Sequence, residues 1–128
     1  MLPFPALRHF SSNELNHPEL VDNAFFAWLD EVRHRAGVPF RLTSDARTPE
    51  ENARASGSSP TSLHLQGKAV DFTVRWEREV LWKVTHAVCT TPCTQGVELE
   101  LVQGQRDRHI HLGWLGVGRA SRLVLNID

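Results

Sequence analysis

The residues best able to do chemistry lie in three short segments: Ser62-Leu63-His64-Leu65-Gln66-Gly67-Lys68-Ala69-Val70-Asp71, Glu98-Leu99-Glu100 and His109-Ile110-His111. Imidazole nitrogens and carboxylate oxygens are the ligands zinc prefers. A catalytic zinc takes three such groups from the protein and leaves a fourth position open. His64 and Asp71, with one histidine of the last segment, would supply that set. Gly67 lets the chain turn between His64 and the stretch carrying Asp71.

His109 and His111 stand two apart, so on a strand both point to one side. One can bind the metal while the other reaches substrate. If the chain turns at Gly104 and Gln105, Glu100 lies opposite His109 and Glu98 opposite His111, and both carboxylates share the histidine face. Hydrolysis at a metal needs such a carboxylate to accept a proton from the attacking water. Taken singly, His-x-His and Glu-x-Glu are common on solvated strands. His9, His17, His34 and His86 lie in no comparable pattern and are assigned no role.

The elements that must position these groups are legible in outline. Pro18 to Ala36 reads as a helix, with Val21, Phe25, Trp28, Leu29, Val32 and Ala36 at helical spacing and Gly37 and Pro39 ending it. Pro39 to Thr43 reads as a strand. Residues 44–61 read as a long loop with one helical turn near Pro49 to Ala55. Lys68 to Val74 is a strand, and Arg75 to Val88 an amphipathic helix with Val80, Val84 and Val88 on one face. Val97 to Val102, Arg108 to Leu115 and Leu123 to Ile127 are strands, the first two joined in a hairpin. This order predicts one α+β domain over residues 1–128, a mainly antiparallel sheet flanked by helices.

Bulk properties exclude several classes. The formal net charge of -1 over 128 residues argues against a dedicated nucleic-acid binder. No apolar run approaches the ~20 residues that cross a bilayer, so no membrane role is expected. Met1 to Phe10 does not read as a secretory signal. Cys89 and Cys93 cannot form a four-cysteine zinc site. They read as two ordinary buried or half-buried thiols, with a local disulfide as the alternative.

The segment Ser62 to Phe72, SLHLQGKAVDF, resembles the signature of the D-Ala-D-Ala metallopeptidase family, Ser-x-His followed by Gly-x-Ala-x-Asp. The amino-terminal signalling domain of hedgehog proteins resembles this family in fold and zinc site. Leu42-Thr43-Ser44-Asp45-Ala46-Arg47-Thr48-Pro49, with Asn52, is similar to the family's Thr-Ser-Gly-Tyr-Arg-Ser/Thr-Pro. Phe10-Ser11-Ser12-Asn13-Glu14 resembles its N-terminal approach, so the likeness spans about residues 10–115.

The resemblance implies a hedgehog/D-Ala-D-Ala peptidase-like fold and a zinc ion held by His64, Asp71 and His111. It implies that Arg47 grips a substrate carboxylate or carbonyl, which suits a guanidinium fork, and that Ser62 supports the site by hydrogen bonding. The implied activity is hydrolysis of peptidoglycan stem peptides, as a D-Ala-D-Ala carboxypeptidase or an L-Ala-D-Glu endopeptidase. A monomeric phage-encoded lysin acting at the bacterial wall suits this reading. The alternatives are a zinc-containing binding module and a virion structural component of the same fold.

Two departures matter. Asp45-Ala46 replaces Gly-Tyr. Many relatives carry an acidic base three residues before the last histidine ligand, where this chain has Arg108. Glu100 is therefore expected to be the general base, with Asp107 and Glu98 in reserve, and His109 to stabilise the oxyanion or hold substrate.

Overall fold

In a computed structural model of the chain, residues 7–54 and 62–128 are described. Residues 55–61, the end of the expected long loop, and residues 1–6 lie outside that description.

The first helix begins later than periodicity predicts. Pro18–Leu20 forms a separate 3-10 turn, and α1 runs Asn23–Ala36. The reason is a cap: the Asp22 side chain accepts a hydrogen bond from the Phe25 N–H, which settles one of the free donors of the first turn. Gly37, in the left-handed conformation, closes the other end. The remaining helices are α2, Pro49–Arg54, and α3, Arg78–Thr90.

Strands β1 (Arg41–Ser44), β2 (Ala69–Thr73), β3 (Gln95–Gln103), β4 (Arg108–Val117) and β5 (Arg122–Ile127) form one sheet in the order β1-β2-β4-β3-β5. All pairings are antiparallel except β3 with β5. The α+β architecture is as expected.

Alternation gives the sheet two chemically different faces. Val70, Phe72, Leu99, Ile110 and Leu112 point to one side. There they pack with Phe25, Phe26, Leu29 and Val32 of α1 and Val84 and Val88 of α3. Phe40 stacks on Phe72 with ring centroids 4.2 Å apart. Asp71, His109, His111, Glu98 and Glu100 point to the other side.

The expected β3–β4 register is corrected. Glu100 lies opposite His111, Glu98 opposite Gly113, and Val102 opposite His109. The hairpin does not turn on Gly104 and Gln105 alone. Gln103 pairs with Arg108, and the Gly104 N–H donates to the Asp107 carbonyl at 2.7 Å. Two additional residues in the tip slide each partner by two positions, which preserves the faces.

Cys89 and Cys93 are both free and exposed. They are neither buried thiols nor a disulfide.

Candidate metal centre

His64 sits on a 3-10 turn, Leu63–Gln66, that lies against the polar face of the sheet. Ser62 caps this turn by accepting from the His64 N–H at 3.3 Å. Gly67 ends it at φ 69°, where a side chain is disfavoured and a Cβ would lie 2.2 Å from the Leu20 carbonyl oxygen. Gly113 on β4 makes the approach feasible from below: a Cβ there would lie 2.9 Å from Leu63 Cδ1 and 3.0 Å from the Lys68 carbonyl oxygen.

The three residues converge. One ligand atom from each of His64, Asp71 and His111 lies within 4.8 Å of the others. Asp71 and His111 are direct partners across β2 and β4. His64 is 3 % exposed; its Nδ1 donates to the Asp45 carbonyl oxygen at 2.7 Å, which fixes the ring with Nε2 turned toward Asp71 Oδ1, 3.4 Å away. His111 presents Nδ1 to the same carboxylate oxygen at 2.9 Å.

Burial alone would raise the Asp71 pKa, but hydrogen bonds from His111 and His64 and their charge hold the carboxyl well below the usual carboxylate range. Burial alone would lower His111, and Asp71 and Glu98 together carry it above the ordinary histidine value. Two imidazoles drawn to one ionised carboxylate form a donor set of the kind a divalent zinc ion takes. The residues present fit such an ion.

The surroundings of this triad differ from expectation in their details. Glu98 is engaged on both oxygens: Oε1 accepts from His111 Nε2 at 2.8 Å, and Oε2 accepts from the Arg122 guanidinium. The carboxylate thus stands behind the histidine as an orienting partner. Glu100, across from His111, has one oxygen 3.3 Å from Asn126 Nδ2. His109 Nδ1 meets Asp107 Oδ1 at 2.9 Å. Arg47 reaches Asp71 Oδ2 at 3.5 Å through Nη2, and is held by Ser44 Oγ and Asn52 Oδ1 at 3.3 and 3.4 Å.

The sequence marked Asp45 only as a departure from the family pattern and gave it no structural role. This residue is 3 % exposed, and its carboxylate accepts from the backbone N–H groups of Asn16 and His17 at 2.9 and 3.2 Å. It ties the N-terminal approach to the segment just after β1, whose Asp45 carbonyl oxygen accepts from His64. A charged residue in an otherwise small-residue turn was the available signal.

The profile described as Peptidase M15 matches residues 9–113. The crystal structure of the L-Ala D-Glu endopeptidase ChiX of Serratia marcescens is similar in fold. The TM-score is 0.59 at 22% identity, with 82% of this chain and 88% of that one covered. No curated protein sequence matches.

Proposed function

The chain belongs to the peptidase M15 family, and from that premise we propose that it is a zinc-dependent peptidase hydrolysing peptide bonds in peptidoglycan stem peptides. The observation that carries this reading is the convergence of His64, Asp71 and His111 within 4.8 Å on the polar face of the sheet.

His64 through Nε2, Asp71 through its carboxylate and His111 through Nδ1 would hold the ion. When bound, zinc supplies a Lewis acid that polarises the scissile carbonyl and lowers the pKa of the attacking water. Glu100 accepts the proton of that water as the new C–O bond forms. It then returns the proton to the amine nitrogen as the C–N bond breaks. Its position opposite His111 on the site face supports this assignment.

Glu98, committed to His111 and Arg122, orients a ligand and no longer serves as a reserve base. Asp107 likewise serves by orienting the His109 ring. His109 and Arg47 bind the carbonyl oxygen or a carboxylate of the substrate. Arg47 is steadied for that task by Ser44 and Asn52.

The test is mass spectrometry of fragments released from purified peptidoglycan by the zinc-loaded protein, with and without a chelator. Chelator-sensitive release of D-Ala would mark a carboxypeptidase. New termini at the L-Ala–D-Glu bond would mark an endopeptidase. Full zinc occupancy with no release would overturn the enzymatic reading in favour of a binding module. Glu100→Gln should bind zinc normally while turnover falls by at least ~100-fold.

A further inference from the structure

The two edges of the sheet are built differently. β1 is four residues long, and its pairing with β2 is interrupted by a register shift between Leu42 and Ser44. Short, irregular edges resist pairing with another chain. β5 is a regular strand paired with β3 over its six residues, Arg122 to Ile127. Its sequence, Arg122-Leu123-Val124-Leu125-Asn126-Ile127-Asp128, holds no proline and no charge between its two end residues. Leu123, Leu125 and Ile127 are 57, 62 and 58% exposed on the helix-bearing side, where neither α1 nor α3 covers them.

Backbone direction on β5 follows from one bond. The Asp128 N–H donates to the Gln103 carbonyl of β3 at 3.0 Å. Alternation then turns the backbone groups of Asn126, Val124 and Arg122 toward β3, and those of Leu123, Leu125 and Ile127 outward. The residues with exposed apolar side chains therefore also carry the strand's outward N–H and C=O groups.

We propose that β5 pairs antiparallel with β5 of a second copy of this chain, about a two-fold axis at Leu125. The sequence is self-complementary in that register. Leu125 faces the partner's Leu125, and Leu123 faces the partner's Ile127, each pair exchanging backbone hydrogen bonds. Arg122 at one end faces the partner's Asp128 at the other, so opposite charges meet at both ends of the ladder. A two-fold axis makes the contact isologous and closed, which yields a dimer and not a fibre. The sheet then runs continuously through both copies, and the partner's Ile127 closes the groove beside Leu123 that Val88, Val97 and Leu99 line. This inference departs from the monomer expected from sequence and does not depend on the peptidase reading.

Sedimentation velocity of the full chain over a range of concentrations tests it, together with backbone amide exchange. A dimer is expected. The amides of Leu123, Leu125 and Ile127 should gain protection as concentration rises, while that of Val117, also exposed, should not. Leu125→Lys sets two like charges face to face and should weaken the dimer at least ~10-fold. Val117→Lys should leave it unchanged. Circular dichroism of each variant reports whether the fold is kept. A wild-type chain that stays monomeric at every concentration, or a dimer that survives Leu125→Lys, would overturn the proposal. So would a dimer in which the three odd-numbered amides stay unprotected.

Discussion

Replacing Glu98 with Gln separates its role as a ligand-orienting residue from a role as general base. The substitution keeps the side chain's size and one acceptor oxygen but removes the charge opposite the His111 Nε2–H. Both partners are shielded, with side-chain exposures of 13 and 16%, so the lost charge is felt at low dielectric. Carboxylates behind a histidine ligand typically govern metal affinity by ~10–100-fold. Zinc affinity should therefore fall by about 1.4–2.7 kcal/mol. The Arg122 contact contributes little of this, because its side chain is 63% exposed and such pairs are worth about 0–1 kcal/mol. Arg122→Ala should thus lower affinity by less than ~10-fold. Competition with a chromophoric chelator measures both constants. If Glu98→Gln binds zinc as tightly as the wild type while turnover collapses, the orienting role is wrong and Glu98 acts on the substrate water.

Other expectations rest on equally local geometry. Gly113→Ala places a Cβ 2.9 Å from Leu63 Cδ1, which can turn aside, and 3.0 Å from the Lys68 carbonyl oxygen, which must give and strains the chain just after the His64 turn. About 1–3 kcal/mol of stability should be lost, with weaker zinc binding in the same titration. Phe72→Ala removes a fully buried ring stacked on Phe40 and should cost about 3–5 kcal/mol in urea unfolding. Burial tends to lower the His17 pKa, but hydrogen bonds and charge from Glu51 and Glu19 raise it overall. The stabilisation is complete below the unfolded histidine pKa and is lost as pH rises through the raised folded value. An NMR titration should place the His17 midpoint above the ordinary value, and Glu51→Gln should bring it down. Stripping the ion with a chelator should lower Tm, and added zinc should restore it in proportion to the logarithm of its concentration.

Chemistry close along the chain was readable from residue order. The spacing from His64 through Gly67 to Asp71 reflects one turn feeding one strand, and His109 and His111 share a face because strands alternate. Hydrophobic period likewise announced α1, α3 and the strands, since one side of each must meet the core. Their ends were less legible: Asp22 starts α1 where the apolar pattern alone would begin it at Pro18, because a cap outweighs periodicity.

Pairing between distant segments was settled only in three dimensions. The four-residue tip at Gly104–Asp107 moved the β3–β4 partners from Val97 to Gln103 by two positions, and turn length is not written in the alternation of the strands it joins. That shift brought Glu100 opposite His111, while the length of the Glu98 side chain let it reach the same ring diagonally. The parallel docking of β5 then gave Glu98 its arginine and left three apolar side chains uncovered at an edge. Residue types and short spacings determined which groups could bind a metal. Which carboxylate contacts His111, and which is left to Asn126, depended on contacts between segments far apart in sequence, whose free energies no local pattern encodes.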